Sequence, residues 1–274
     1  MINLYPKKEF RFPAIAECIT PDIFQGKKCE EIGELNVWEG NKQKKLSELF
    51  KVEEIKTESQ PEKTAIVIHG DVGRVRRIGA CMKSGEITIY GDVGMHLGEE
   101  MKGGKITVHG NVVGWAGSMM KGGTIEIHGN VGDYLGAPYR GSSEGMRGGK
   151  ITVYGNVGNE AGAYMRKSVI KIYGNAGQFV GLRMHNGTIY VQKDCEGRAG
   201  ACMTEGTIVI GGFLESVLPT FTIDGIKKKV KIEEGEVVET PFYLFLGDLT
   251  ESGKGKLYVA KERNPHLSYY EKFL

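Results

Sequence analysis

With 274 residues, 40% of them hydrophobic, the chain can hold one repeat array with flanking segments or two modest domains, and wholesale disorder is excluded. A formal charge of +2, from 36 basic and 34 acidic residues, gives no reason to expect nucleic acid, and no apolar run approaches the roughly 20 residues of a membrane span. The N-terminus Met1-Ile2-Asn3-Leu4-Tyr5-Pro6 lacks the apolar core of a signal peptide, and Cys18, Cys29, Cys81, Cys195 and Cys202 form no C-x-x-C pair, so a cytoplasmic chain without disulfides or the simplest iron–sulfur motifs is expected.

Residues 1–62 do not repeat. Phe10-Arg11-Phe12 alternates briefly, and a charged stretch through Lys44 and Lys45 runs into Leu46, Leu49 and Phe50, which predicts a small N-terminal α+β cap. From 63 to 212 the rule G-x-x-M-x-x-G-x-I-x-[IV]-x-G appears seven times, anchored by Met82, Met101, Met120, Met146, Met165, Met184 and Met203. The spacing is 19 residues, except for 26 between Met120 and Met146. Five residues after each methionine stand Ile87, Ile106, Ile125, Ile151, Ile170, Ile189 and Ile208; a second β-branched column follows two residues on, and Ile66 with Ile68 reads as an earlier strand. Between the two apolar columns lie Thr88, Thr107, Glu126, Thr152, Lys171, Tyr190 and Val209, mostly polar, the alternation of a strand with one buried face.

Each strand ends in a turn of the form G-[DN]-V-G, as at Gly91-Asp92-Val93-Gly94. A 19-residue unit is too short for a strand–helix–strand crossover of roughly 30 residues. The predicted fold is therefore mainly β: a right-handed parallel β-helix of 19-residue coils with small non-repeating N- and C-terminal caps. The methionine and isoleucine columns, with Val72, Val93, Val112, Val131, Val157, Ala176 and Cys195, should point inward. Ser143 and Ser168 stand where glycine is expected, Lys193 replaces a strand-closing glycine, Val113 displaces its turn glycine to Gly114, and the register stops after Gly211-Gly212. Residues 213–274 form a C-terminal β-rich extension, with strands expected at Lys229–Glu233 and Lys256–Ala260.

Most recurring side chains have a structural explanation. His69, Tyr90, His109, His128, Tyr154 and Tyr173 share an outward column, where a stacked aromatic ladder is favoured over a metal site because no carboxylate or cysteine joins it. The methionines are in phase with the isoleucines and fill core space, and the Asp71, Asp92, Asn111, Asn130, Asn156, Asn175 and Asp194 column caps turns. Function is sought instead in two interruptions, Arg74-Val75-Arg76-Arg77 and Ala137–Ser143. Insertions in solenoids become surface loops, which makes Arg74, Arg76, Arg77, Tyr139 and Arg140 candidates for partner contact. No catalytic, cofactor-binding or metal-ligating residue is assigned.

The sevenfold G-x-x-M-x-x-G-x-I-x-[IV]-x-G motif with its G-[DN]-V-G turns, over about residues 66–212, resembles the family of formylmethanofuran dehydrogenase C subunits. The resemblance implies a non-catalytic scaffold in an oxidoreductase complex that reversibly converts CO2 and methanofuran to N-formylmethanofuran, the first step of methanogenesis. It implies amidohydrolase-like, pterin-binding and ferredoxin-like partner subunits. Molybdopterin or tungstopterin, iron–sulfur clusters and a dinuclear metal site would lie in those partners and none in this subunit, with the methanofuran tail a candidate contact. Two other readings are a glutamate-synthase-like β-helix spacer of an amidotransferase complex and a stand-alone polysaccharide-active β-helix enzyme. The second needs outward acids on adjacent coils, and only Glu126 occupies that strand column.

Overall fold

Alternation at spacing two turns each repeat into a short strand, and identical spacing then brings like residues side by side. The computed structural model describes residues 1–55 and 64–274, so the expected boundary at 62/63 lies outside the described residues. The N-terminal segment carries β1 (Ile2–Pro6), β2 (Ala14–Ile15), α1 (Pro21–Phe24), α2 (Cys29–Gly33), β3 (Asn36–Glu39), β4 (Lys42–Lys45), α3 (Leu46–Leu49) and β5 (Phe50–Glu54). The repeats carry β6 (Ala65–His69), β7 (Val75–Arg76), β8 (Glu86–Tyr90), β9 (Lys105–Val108), β10 (Lys121–Ile127), β11 (Gly148–Val153), β12 (Val169–Ile172), β13 (Thr188–Val191) and β14 (Thr207–Ile210). The C-terminal segment adds β15 (Thr222–Lys227), β16 (Val230–Glu233), β17 (Glu236–Val238), β18 (Phe242–Gly247) and β19 (Gly255–Ala260).

The chain is mainly β, with few and short helices, and its principal sheet has 13 strands, most of them parallel. Strands β8 to β14 pair each residue with its counterpart one repeat on, Ile87 with Ile106 and Ile189 with Ile208, and across the longer interval Ile125 with Ile151. A second line of parallel bridges joins Val72, Val93, Val112, Val131, Val157, Ala176 and Cys195, and continues to Leu214. All seven methionines and the seven isoleucines that follow them are buried. The M-x-x-G spacing has a steric cause: a Cβ on Gly104 would lie 2.5 Å from the Met82 methyl, so the methionine of one repeat fills the space that the glycine of the next leaves free.

Two sequence expectations need correction, and the sheet continues past the repeat into both flanks: β1 lies parallel to β6 with Ile2 beside Ile66, and β19 lies parallel to β14 with Leu257 beside Ile208. Antiparallel strands, β5 at one end and β18 with β15 at the other, then close the parallel run and cover edges that would otherwise invite association. Ser143 does not occupy the glycine column, because the inserted residues enter after Gly136, which holds the left-handed conformation at φ 67° and donates to the Ala116 carbonyl as Gly117 does to Leu97. The mid-strand column from Thr88 to Val209 is not solvent-facing throughout: the β16–β17 hairpin folds over its far end, where Lys171 is buried and Tyr190 and Val209 form a second apolar cluster with Val230, Ile232 and Phe242. No helix among the described residues is long and apolar enough to cross a membrane.

Candidate partner-contact site

Between the bridge line and the methionine column, each repeat turns through left-handed residues. The first of these is not glycine: Arg77, His96, Trp115, Tyr134, Glu160, Phe179 and Arg198 all have φ between 52° and 68°. Each such residue carries backbone strain of about 1 kcal/mol or more, tolerated because the stack hydrogen-bonds the turn from both sides. Arg77 N–H donates to the Met95 carbonyl, for example, and Trp115 N–H to that of Asp133. The column presents large side chains one above another, with His96 stacked on Trp115 at 5.5 Å and Trp115 on Tyr134 at 4.2 Å.

Three residues further on, after the turn glycine, stands Glu99, 1% exposed, where the other repeats place Ala80, Ser118, Ala137, Ala163, Leu182 and Ala201. A carboxylate in a column of small residues needs partners to remain buried. Glu99 accepts from Arg77 Nε at 2.9 Å and from the Tyr139 hydroxyl, while His96 Nδ1 lies 3.9 Å away. Arg77 reaches with its other face to the carboxylate of Glu17. The guanidinium is held protonated: burial opposes its charge, and the two carboxylates outweigh burial. Burial, with the hydrogen bond to the Glu99 carboxylate, pushes the Tyr139 hydroxyl up. Burial lowers His96, against the pull of Glu99, so its ring is neutral at pH 7.

The five candidate residues divide between two places. Arg77 and Tyr139, from the two interruptions, meet at Glu99. Beside them Arg140 donates to the Tyr134 hydroxyl at 3.0 Å and lies over its ring, at the lip of a cleft of about 310 Å³ lined also by Ser142, Glu160 and Tyr164. Arg74 points elsewhere, donating to the Arg11 carbonyl at 3.0 Å. Arg76 belongs to β7, which pairs with β2, and its carbonyl accepts from Ala16 N–H.

Sequence reading overlooked Glu99, Glu17, His96, Trp115 and Tyr134. The available signal was columnar: Glu99 is the one ionisable side chain among seven equivalent positions. The aromatic ladder is also longer than its repeat column, since Tyr5 stacks on His69 and the rings run through Tyr90, His109, His128 and Tyr154 to Tyr173 at 4.6 to 5.9 Å. Among the described residues no group of three or more His, Cys, Asp or Glu side chains could hold a metal ion.

No family model matches the chain. The C subunit of tungsten-containing formylmethanofuran dehydrogenase 2 from Methanococcus maripaludis is 50% identical over 273 residues, covering 97% of this chain and 98% of that protein. The C subunit of molybdenum-containing formylmethanofuran dehydrogenase 1 from Methanothermobacter marburgensis is 47% identical over 95 residues, and that match spans 35% of this chain and only 23% of the relative. A chain in the X-ray crystal structure of the formyltransferase/hydrolase complex (FhcABCD) from Methylorubrum extorquens in complex with methylofuran superposes with a TM-score of 0.81 at 28% identity, covering 94% of this chain and 99% of that one. Near end-to-end identity of 50% with one of these relatives places the chain in the family of formylmethanofuran dehydrogenase C subunits.

Proposed function

We propose that this chain is the scaffold subunit of a formylmethanofuran dehydrogenase, docking subunits that convert CO2 and methanofuran to N-formylmethanofuran while performing no chemistry itself. In this reading residues 63–212 are a right-handed parallel β-helix of 19-residue coils between an N-terminal cap, 1–62, and a C-terminal extension, 213–274. The observation that carries it is the bridge from Arg77 through Glu99 to Tyr139, which fixes two irregular segments in one shape on an otherwise regular surface. A rigid, irregular surface is what subunit recognition needs, because ordering it beforehand lowers the entropy cost of binding. The superposed chain of Methylorubrum extorquens, which sits in a formyltransferase/hydrolase complex with methylofuran, supports the same role.

Arg74, Arg76, Arg77, Tyr139 and Arg140 are then partner contacts, with the methanofuran tail a further candidate ligand. The partners are the amidohydrolase-like, pterin-binding and ferredoxin-like subunits, and the pterin, iron–sulfur clusters and dinuclear metal belong to them. The test is reconstitution: charge reversal of the four arginines together with Tyr139→Ala should release this chain from the co-expressed assembly. Full assembly and unaltered methanofuran affinity in that variant would remove the contact assignment, and formylmethanofuran turnover by the isolated chain would remove the scaffold reading.

A further inference from the structure

The N-terminal segment forms a second, four-stranded sheet ordered β4-β3-β2-β7. One row of residues crosses all four strands in register: Gln43, Trp38, Ile15 and Arg76. Alternate positions Ala14, Val37 and Glu39 are buried, so strand parity turns this row outward. Trp38 is 45% and Ile15 37% exposed, and Phe12, 60% exposed, lies against Gly40 at the end of β3 and lengthens the patch. Three large exposed apolar side chains on one sheet face form a patch that protein surfaces ordinarily avoid unless something covers it.

The frame of the patch is cationic. Arg11, Arg74 and Arg76 border it, and none has a carboxylate at ion-pair distance among the described residues. Of the acids nearby, Glu17 pairs with Arg77, Glu39, on the inner face, pairs with Lys44 and Lys8, and Asp71 accepts from Gly73 N–H, while Glu9 and Asp71 line a pocket with Arg74 at one end of the patch. From this we infer that the face of the β4-β3-β2-β7 sheet is a docking surface for another protein subunit, one whose contact presents apolar side chains ringed by carboxylates. A second copy of this chain is the wrong occupant. A two-fold contact would set the patch on itself and bring guanidinium against guanidinium. Nucleic acid would use the arginines but leave Phe12 and Ile15 without a role, and the chain as a whole is nearly charge-balanced.

This inference rests on the scaffold reading and adds a surface to it. The test measures binding of the purified full-length chain to the remaining formylmethanofuran dehydrogenase subunits at low and high salt. Ile15→Ser with Trp38→Ser should weaken binding about tenfold, as loss of a central aromatic anchor does. Arg74→Glu with Arg76→Glu should weaken it more at low salt than at high salt. Tyr154→Ser, three stacking steps beyond Tyr90 on the exposed aromatic ladder, should change affinity less than about twofold. Wild-type affinity in both double variants, with thermal melts matching the unmodified chain, would overturn the inference. So would self-association or single-stranded nucleic-acid binding that depends on these side chains. If the unmodified chain does not bind the other subunits, the scaffold reading fails and this surface with it. If it binds and only the Arg77 and Tyr139 variants weaken binding, the scaffold reading stands and this surface alone is lost.

Discussion

A single carboxylate, Glu99, joins the two irregular segments of a regular molecule. Its column elsewhere holds alanine, serine or leucine, so the local fold does not require it, and what it supplies is an acceptor for Arg77 and Tyr139. Removing one partner from a buried pair leaves the other desolvated and uncompensated, at up to about 3–5 kcal/mol. Arg77 keeps Glu17 and is one-third exposed, which reduces that penalty. Glu99→Ala should therefore cost about 2 kcal/mol in urea denaturation, with Tyr139→Phe nearer 1 kcal/mol, the worth of an ordinary hydrogen bond. The inserted loop should at the same time become sensitive to proteolysis. A change below about 0.5 kcal/mol for Glu99→Ala, in the range of ordinary surface substitutions, would mean that the bridge does not hold the loop.

At the scale of elements, the β16–β17 hairpin is held over the strands by charge as well as by Val230 and Ile232. Lys171, in the outward column, contacts Glu233 and Glu236, and Lys150 shares Glu233. Hydrogen bonds from Lys150 and Lys171 hold Glu233 down to about 2 against the opposing effect of burial. A carboxyl whose folded pKa is depressed stabilises fully above its ordinary value near 4.5, and that stabilisation is lost as pH falls toward 2. Amide exchange, corrected for its intrinsic pH dependence, should show β16 and β17 losing protection over that window before β8 to β11 do. Lys171→Met should reduce the pH dependence, and equal loss in all these strands would refute a separately clamped hairpin. The same elements mark how far sequence reading goes. Strands β8 to β14 were legible because apolar period two and a fixed repeat determine both face and register. The hairpin's strand at Lys229–Glu233 was legible too, yet not what it covers, since its contact with Lys171 spans 62 residues and leaves no local trace. Glu99 and Tyr139, 40 residues apart, meet only because the inserted residues fold back across an intervening repeat.

For the whole molecule, stability resides in contacts between neighbouring repeats, each pairing like with like, so the stack should tolerate loss of one complete unit and not of a fraction. Residues 150–168 are one such unit outside the Glu99 bridge. Their excision joins Gly149 to Val169, which stands beside Lys150 in the parallel pairing and would take its place. Ile170 and Ile172 would then face Ile125 and Ile127, the partners that Ile151 and Val153 now have. The methionine column would lose Met165 and stay continuous from Met146 to Met184, and Glu233 would keep Lys171 when Lys150 is gone. Excising 150–159 instead removes about half a unit, so the following strand arrives out of phase and its isoleucines cannot reach the core. The full-unit variant should retain a β-type circular dichroism spectrum and one cooperative urea transition, with a slightly smaller m-value for its smaller buried surface. The half-unit variant should lose cooperativity and aggregate through the strand edges it exposes. Equal damage from the two excisions would show that the repeats fold as one indivisible body and not as neighbours stacked in sequence.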